Sequence, residues 1–432
     1  RNTMVNTQFI QRPLLTIPSN ASTSTNNAPC TNLKIMSYNV LAQCLVRREL
    51  FPTNGAIMKW KARAPVLQAE IQHYSPDILV MQEIDEPQVT KYWTQILKEI
   101  GLEMKFHRHR SKQHGVVIAY RSSIFERVLS PTLEVYYDKK NSDVSGNEEN
   151  KAGENLDVQQ NDQQHAHEEL AEQDKEDTIL GLADTGNTGF AVALRYRDHP
   201  QEGVVIGTTH LYWHPHGSFE RARQLGLLAR RTTSFAQTNF PNWSVFLAGD
   251  FNSSPEDIPY TMLTQDIKTV DDIRADTLDI FRRSVGYLRI RIGLDSDIPT
   301  DESGKLPRDP VPEDTLMAHV QEIIDLYRPV SDKYNVISAY GKYYKEVDPE
   351  NSLEEFYGEP NFSNWAAKWK GLLDYIFYFQ PKEITAETNK VDVIELLKLP
   401  HPKDMGEGLP REGEYPSDHL AIMATVRIHH HG

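Results

Sequence analysis

The order of apolar and polar stretches in this chain predicts an α/β fold. Strand-like apolar runs first alternate with helix-like segments, as in residues 33–41, 65–74 and 77–83, and farther along several strand-like runs follow one another. Several of these runs end on a polar residue. Because α/β proteins gather their chemistry at the ends of buried strands, this arrangement predicts a functional site at one rim.

Length and composition set the class of protein. The 432 residues suffice for one large domain or two medium ones, and 39% are hydrophobic, which is enough for a sizeable core. The formal net charge is −15, but residues 138–178 hold thirteen acidic residues against four lysines and carry −9 of it. A nucleic-acid substrate is therefore not excluded, because the local field decides binding. The only cysteines, Cys30 and Cys44, form no disulfide framework and fit a reducing compartment.

Three stretches lack the pattern of a packed fold. Residues 1–31 are rich in Ser, Thr, Asn and Pro without periodicity and predict a disordered tail. Residues 138–178 are acidic and of low complexity, which predicts a disordered insert. Residues 284–325, rich in Asp and Pro, predict a second insertion with one short helix near Leu316–Leu326. Between 219 and 236 the pattern predicts an amphipathic helix with four arginines outward, at Arg221, Arg223, Arg230 and Arg231.

The strongest chemical signal is the stretch Gly249-Asp250-Phe251-Asn252, which follows four apolar residues. Asp250 could align or deprotonate a water, and the Asn252 amide could donate to a phosphoryl oxygen. The same pair could instead form an Asx-turn for local reasons. Taken alone, the stretch leaves both interpretations open.

Other strand-like segments end on, contain or follow residues of the same kind. Each of these residues also has an ordinary structural explanation, as a turn former, a helix cap, a buried histidine or a surface charge. Together they could converge on one rim, and oxygen ligands without a cysteine cluster favour Mg²⁺ or Mn²⁺ over zinc. These residues are Asn39, Glu83, His210, Asp374 and His419.

Six short motifs, in this order along residues 33–427, carry a family resemblance: Ser37-Tyr38-Asn39, Met81-Gln82-Glu83, Thr209-His210-Leu211, Gly249-Asp250-Phe251-Asn252, Leu373-Asp374-Tyr375-Ile376-Phe377 and Ser417-Asp418-His419. They resemble the motif set of the endonuclease/exonuclease/phosphatase superfamily, which has the deoxyribonuclease-I-like fold. The segment Tyr212-Trp213-His214-Pro215 is similar to the deadenylase, nocturnin and Angel branch, and within it to the fungal Ngl-type RNA exonucleases. The resemblance implies one catalytic domain over residues 32–429, built as a four-layer α/β/β/α sandwich of two mixed sheets.

The activity that the resemblance implies is Mg²⁺-dependent 3′→5′ hydrolysis of RNA to 5′-nucleotides, in poly(A) or 3′-end trimming, with Mn²⁺ as a possible substitute. Two other enzymes use the same motifs: a nocturnin-like 2′-phosphatase for NADP(H) and an Angel-like 2′,3′-cyclic phosphatase. The Trp213-His214-Pro215 segment argues against the nocturnin type, whose sequences depart there. A non-catalytic RNA-binding scaffold would have lost motif residues, and none is lost.

The residue roles also follow from the resemblance. It implies that Glu83, helped by Asn39, holds Mg²⁺, and that Asp418 serves a second metal. One departure weakens this site, because some members carry a carboxylate where this chain has Leu41. The remaining implied roles are a water-activating Asp250, phosphate donors Asn252 and His210, an orienting Asp374 with its His419, and substrate contacts Asn187, Pro215 and Trp369.

The implied partner is the 3′ end of single-stranded RNA. No leucine-rich repeat precedes the motifs and no apolar run is long enough to span a membrane, so we expect neither a repeat-mediated complex nor a membrane anchor. We expect a monomer inside the cell, in the cytoplasm, the nucleus or the mitochondrion. The basic stretch Lys105–Lys112 could steer RNA or could be an ordinary solvated loop.

Overall fold

The computed structural model describes residues 8–21, 29–47, 49, 51, 55–138, 179–295, 310–366, 368–385, 388–406 and 408–430. Apart from Asp138, the predicted acidic insert at 138–178 lies outside these residues. The strands are β1 (Leu14–Thr16), β2 (Cys30–Asn39), β3 (Ile78–Asp85), β4 (Leu102–His107), β5 (His114–Arg121), β6 (Phe125–Arg127), β7 (Leu133–Tyr136), β8 (Thr188–Tyr196), β9 (Gly203–His210), β10 (Ser244–Asp250), β11 (Tyr334–Ser338), β12 (Ser352–Leu353), β13 (Glu359–Pro360), β14 (Asn364–Ala366), β15 (Trp369–Gly371), β16 (Asp374–Pro381), β17 (Lys390–Leu397) and β18 (Ile422–His429).

The helices alternate with the strands as far as Glu99, and β4 to β9 then follow one another in the described residues, as the sequence predicts. A π-helical turn at Val89–Trp93 joins α3 to α4, and short 3₁₀ turns lie at Gln43–Leu45, Val270–Asp272, Pro349–Asn351 and Glu354–Phe356. In the described residues, no helix combines the length and apolar character needed to cross a bilayer. The α-helices are α1 (Pro18–Ala21), α2 (Trp60–Tyr74), α3 (Glu86–Gln88), α4 (Thr94–Glu99), α5 (Ser218–Asn239), α6 (Ile258–Thr264), α7 (Ala275–Arg291), α8 (Glu313–Ser331), α9 (Ala339–Val347) and α10 (Pro402–Met405).

Two large mixed sheets form the centre of the molecule. The first has the order β1-β17-β18-β2-β3-β5-β4, and the second has the order β11-β16-β10-β9-β8-β6 with β7 also paired to β8. Within them β2 runs parallel to β3 and β9 runs parallel to β10, and the other pairs are antiparallel. The hairpins β12–β13 and β14–β15 lie outside both sheets.

The alternation of side chains along β10 shows how the layers pack. Phe246 and Ala248 point into the core shared by the two sheets, whereas Val245 and Leu247 point into the core beneath α5, α7 and α8. Successive strand residues face opposite sides, so a strand covered on both faces is apolar throughout. Helices α2 and α4 cover the outer face of the first sheet through Leu67 and Leu97. The predicted four-layer α/β/β/α sandwich is confirmed.

The amino-terminal prediction was wrong for residues 8–21. Strand β1 pairs with β17, with Leu14 opposite Leu397. Arg12 is 6% exposed, and its Nη2 donates to the Ala421 carbonyl at 2.8 Å and to Glu70 at 3.5 Å. A three-residue edge strand is too short to show a periodic pattern, and one arginine does not reveal its buried acceptors, so composition alone suggested a tail.

The predicted second insertion at 284–325 is helical at both of its ends, and the short helix predicted near Leu316–Leu326 lies within α8. Residues 284–291 close α7 and residues 313–325 open α8, while 296–309 lie outside the described part. Both helices bury apolar side chains against α5, including Val285 and Ile323. The frequent Asp and Pro residues of this stretch concealed apolar residues at helical spacing.

Helix α5 is more buried than its sequence suggested. Arg221, Arg223 and Arg230 were predicted to face outward but are at most 9% exposed. Arg223 donates to Glu220 at 2.6 Å and to the Tyr137 carbonyl at 2.5 Å. Amphipathic spacing cannot show that a second helical layer covers the polar face and supplies partners for its charges.

Candidate active site

Strand register brings three of the predicted residues into one row. Asp250, the last residue of β10, is opposite His210 on parallel β9 and opposite Asp374 on antiparallel β16. On the other sheet, Asn39 ends β2 beside the segment of β3 that carries Glu83. Parallel strands end at the same edge of a sheet, so both sheets present polar side chains at one end of the sandwich.

The Asn39 side chain joins the two sheets at this rim. Its Nδ2 donates to Glu83 Oε1 at 3.0 Å and to Asp250 Oδ2 at 2.9 Å. Its Oδ1 accepts from the Leu41 amide at 3.0 Å. The resemblance implied that Asn39 helps to hold the metal. In the structure its amide nitrogen faces the carboxylates, so its contribution is to fix the two acids relative to each other.

Asp250 lies at the centre of the rim, between two imidazoles. Its side chain is 1% exposed, and its Oδ2 lies 3.5 Å from His210 Nε2 and 3.6 Å from His419 Nε2. Its Oδ1 accepts from the backbone amide of Asn252 at 2.9 Å. One carboxylate oxygen is thus fixed by the backbone, while the other faces the space between two potential donors to a phosphate.

A buried chain of hydrogen bonds orients His419. Asp374 Oδ2 lies 2.8 Å from His419 Nδ1 and accepts from Ser363 Oγ at 2.6 Å. Ser363 Oγ in turn accepts from the amides of Leu373 and Asp374. Burial alone would lower the pKa of His419, but the charges of Asp374 and Asp250 raise it well above its ordinary value. The two carboxylates therefore favour the protonated form of His419, whose Nε2 is directed toward Asp250.

Two site residues have strained backbones. Glu83 has φ +60° and Asn252 has φ +46°, both in the left-handed region that favours glycine. Glu83 Oε2 accepts from the Ala42 amide at 2.9 Å, and Asn252 Nδ2 donates to the Leu211 carbonyl at 2.9 Å. Strain of this kind costs on the order of 1–3 kcal/mol per residue and persists where the surrounding contacts hold it.

Arg63 of α2 lies beneath the acidic side of the rim, and the sequence arguments missed it. It is 2% exposed and donates to the carbonyls of Val40 and Leu41 at 2.7 Å and to that of Pro416 at 3.4 Å. It therefore joins the loop after β2 to the loop that carries Asp418. Burial raises the pKa of Asp418 to about 6, and the charge of Glu83 adds to this shift, while His419 and Arg63 oppose it.

The family model described as Endonuclease/Exonuclease/phosphatase family matches residues 36–419, a range that includes every motif of the rim. The chain belongs to this family. A probable RNA exonuclease of Schizosaccharomyces pombe is 34% identical over 98% of this chain and 81% of that protein. RNA exonuclease NGL2 of Saccharomyces cerevisiae is 30% identical over 97% of this chain and 82% of that protein.

Solved structures support the same fold. The crystal structure of ANGEL2, a 2′,3′-cyclic phosphatase, superposes with a TM-score of 0.62 at 18% identity, covering 97% of this chain and 98% of that one. The human Nocturnin catalytic domain superposes with a TM-score of 0.51 at 16% identity, covering 96% and 97% of the two chains. At these identities the similarity concerns the fold alone.

The acidic rim fits the divalent ion that phosphodiester hydrolysis by this family would use. Its donor set is rich in carboxylate oxygen and contains no cysteine, which suits Mg²⁺ or Mn²⁺. Ligand atoms of Asp250, Asp374 and His419 lie within 4.8 Å of one another. Asp374 and His419 are hydrogen-bonded to each other, and both carboxylate oxygens of Glu83 also accept hydrogen bonds, from Asn39 and from the Ala42 amide.

The three predicted substrate residues lie in different parts of the molecule. Asn187 is beside the centre, where its Nδ2 donates to the His210 carbonyl at 2.9 Å. Trp369 is 51% exposed on the hairpin β14–β15, whose Asn364 forms a bridge with His419. Pro215 is exposed in the loop between β9 and α5.

The same loop presents Trp213, which is 66% exposed. Arg221 donates to the Tyr212 carbonyl at 3.2 Å and to the His214 carbonyl at 2.7 Å, on either side of this residue. The His214 ring stacks on Tyr287 with centroids 4.3 Å apart. A buried arginine and a stacked ring thus hold an exposed indole in place. The sequence could not show this arrangement, because it predicted that Arg221 faces outward.

Proposed function

We propose that this chain is an Mg²⁺-dependent 3′→5′ exoribonuclease that releases 5′-nucleotides. The observation that carries the proposal is the position of Asp250 Oδ2, at 3.5–3.6 Å from two histidine Nε2 atoms on opposite sides. The names of the two fungal relatives, which align over nearly the whole chain, support RNA as the substrate.

In this proposal the scissile phosphate lies between His210 and His419. Asp250 accepts a hydrogen bond from a water and aligns its oxygen with phosphorus. The water oxygen bonds to phosphorus and gives one proton to Asp250, the P–O3′ bond breaks, and the leaving 3′-oxygen of the upstream nucleoside takes up one proton to become a hydroxyl. His419, held by Asp374, donates to a phosphoryl oxygen as negative charge develops, and each such donor contributes on the order of 10²–10³ in rate.

The other side chains support this step. Asn252 keeps one amide hydrogen beyond its bond to Leu211 and can donate to the phosphate with His210. Glu83 and Asp418 would hold Mg²⁺, which when bound supplies charge neutralisation at the phosphoryl oxygens. Asn39 keeps Glu83 and Asp250 in register. Pro215 and Trp369 would hold the terminal base, and Asn187 would contact the substrate.

The test compares substrates in parallel. Wild type and Asp250→Asn are incubated with 5′-labelled oligo(A), a mixed-sequence RNA, NADPH and adenosine 2′,3′-cyclic phosphate, each with Mg²⁺ or EDTA. We expect a stepwise ladder from the RNA 3′ ends, with loss in EDTA and in the variant. Comparing oligo(A) with mixed RNA measures any poly(A) preference.

Three outcomes would overturn the proposal. Phosphate release from NADPH with intact RNA would favour a 2′-phosphatase. Opening of the cyclic phosphate with intact RNA would favour the Angel type of activity. RNA binding without any turnover would leave a scaffold.

A further inference from the structure

A cavity of about 390 Å³ adjoins the reaction centre on the His210 side. Its walls come from the turn after β2, the β4–β5 loop, the start of β8 and the end of β9, and it shares His210 and Asn187 with the centre. Small-ligand pockets span about 300–1,000 Å³, so the space suits a ligand the size of one nucleotide.

The cavity and the Trp369 hairpin lie on different sides of the centre. The hairpin is joined to His419 through the Asn364 bridge, whereas the cavity is lined by His210. Because these two histidines flank Asp250, a phosphodiester at the centre would direct one nucleoside toward Trp369 and the other toward the cavity. Neither Pro215 nor Trp369 is among the described residues that line the cavity.

One wall of the cavity offers an aromatic face. Trp213 lines it and is 66% exposed, while the Arg221 and Tyr287 contacts fix the neighbouring backbone. A fixed, exposed indole matches the flat face of a nucleobase, and such stacking contributes about 1–3 kcal/mol per base.

The opposite wall carries positive charge that has no partner among the described residues. Lys112 and Arg47 line the cavity, and no described carboxylate pairs with either. Arg108 stabilises the loop between β4 and β5, since its Nη1 donates to the carbonyls of His109, Arg110 and Lys112. The Lys112 stem lies against Gly186, which has φ +63°, and a Cβ at this position would lie 2.5 Å from Lys112 Cε.

We infer that this cavity is a second nucleoside site, which takes the upstream nucleoside and its 5′-phosphate. Trp213 stacks on the base, and Lys112 and Arg47 contact the phosphate. The inference rests on the proposed function and extends it: the smallest good substrate is a dinucleotide carrying one further phosphate. The inference also gives Lys112, at the end of the basic stretch Lys105–Lys112, a role in binding phosphate.

The test uses two substrates that differ only on the leaving side. One is a 5′-phosphorylated RNA dinucleotide, and the other is uridine 5′-(p-nitrophenyl phosphate), in which nitrophenol replaces the upstream nucleoside. For Trp213→Ala and Lys112→Ala we expect kcat/KM to fall about tenfold or more on the dinucleotide and less than about twofold on the aryl ester. Lys98→Ala, an equal charge change on the exposed face of α4, is the matched control.

Binding distinguishes failure of this inference from failure of the proposed function. Calorimetry in an Asp250→Asn background with Mg²⁺ needs no turnover. There, Trp213→Ala and Lys112→Ala should weaken binding of the phosphorylated dinucleotide about tenfold and leave uridine 5′-monophosphate unchanged. Equal loss on both ligands, or no loss relative to Lys98→Ala, would overturn the second site whatever the enzyme hydrolyses. Lys112→Arg should restore dinucleotide binding.

Discussion

Two of the buried carboxylates of this molecule can be compared, because only one of them lies in the candidate active site. Asp374 is 2% exposed and Glu359 is 0% exposed. Burial raises the pKa of both, and for Glu359 the pKa reaches about 7. Asp374 faces the His419 imidazole at 2.8 Å, whereas the hydrogen-bond donors of Glu359 are neutral: Tyr260, Ser338 and the Gly341 amide.

The difference lies in the partner, since both carboxylates are buried. The charge of the His419 imidazole opposes the rise that burial causes in the pKa of Asp374, and the Asp374 carboxylate in turn favours the protonated imidazole, which can stabilise negative charge nearby. Glu359 has no such partner among the described residues, and its shifted titration affects only the stability of the fold. A raised pKa alone therefore does not identify a catalytic group in this protein.

The comparison is tested most severely at Asp374. Asp374→Asn keeps the size of the side chain but removes the acceptor that holds the imidazolium. By analogy with the orienting carboxylate of a triad, we expect kcat to fall about 10³–10⁴-fold on RNA. Steady-state kinetics under saturating Mg²⁺ measures the loss, with thermal unfolding to establish that the variant is folded. Ser363→Ala removes one hydrogen bond to the same oxygen and should cost much less. A folded Asp374→Asn enzyme within tenfold of wild type would contradict the role given to the pair.

Arg63 offers the second test, because it is a buried charge that acts only through loops. Arg63→Met leaves the carbonyls of Val40, Leu41 and Pro416 without their donor. The freed loops adjoin Asn39 and carry Asp418 and His419, so we expect kcat to fall about 10–100-fold, as it does when reacting groups are displaced slightly.

Arg63→Lys separates charge from geometry. It keeps the positive charge but not the planar fork that reaches several carbonyls, so it should recover only part of kcat. KM for RNA should stay within about threefold in both variants, because Arg63 does not line the predicted substrate contacts. Full activity of Arg63→Lys would show that charge alone matters.

Sequence reasoning succeeded where chemistry and fold share a short motif. Asn39, His210 and Asp250 end their strands and Glu83 lies two residues before the end of β3, so strand prediction also predicted that they meet. It could not find Ser363, which bonds the Asp374 side chain and two backbone amides, or Arg63, which donates to backbone carbonyls up to 353 residues away, because neither leaves a local pattern. It also misplaced the arginines of α5, because nothing in one amphipathic segment shows that α7 and α8 cover it.

Trp369 tests whether the exposed rim contributes to binding rather than to the chemical step. Trp369→Ala removes an aromatic face that is 51% exposed, so the fold should be unaffected. Base stacking contributes about 1–3 kcal/mol, and we expect KM for oligo(A) to rise about 5–100-fold with kcat within threefold. Trp369→Phe keeps a ring and should stay close to wild type. An unchanged KM in the alanine variant would remove Trp369 from the substrate site.

Glu359→Gln should have the smallest effect on activity and the clearest effect on stability. The folded pKa of Glu359, about 7, exceeds the unfolded value near 4.3, so its contribution is fully present below the unfolded pKa and is lost as pH rises through the folded one. The free energy of unfolding should therefore fall by about 1.4 kcal/mol between pH 6 and 8 on account of this group. Glu359→Gln removes that slope, whereas Glu126→Gln on the exposed face of β6 does not. Urea unfolding at several pH values measures the slopes. If Glu359→Gln instead lowered kcat as strongly as Asp374→Asn does, the comparison would fail. Both buried carboxylates would then have similar roles, because burial without a charged partner would be sufficient for catalysis.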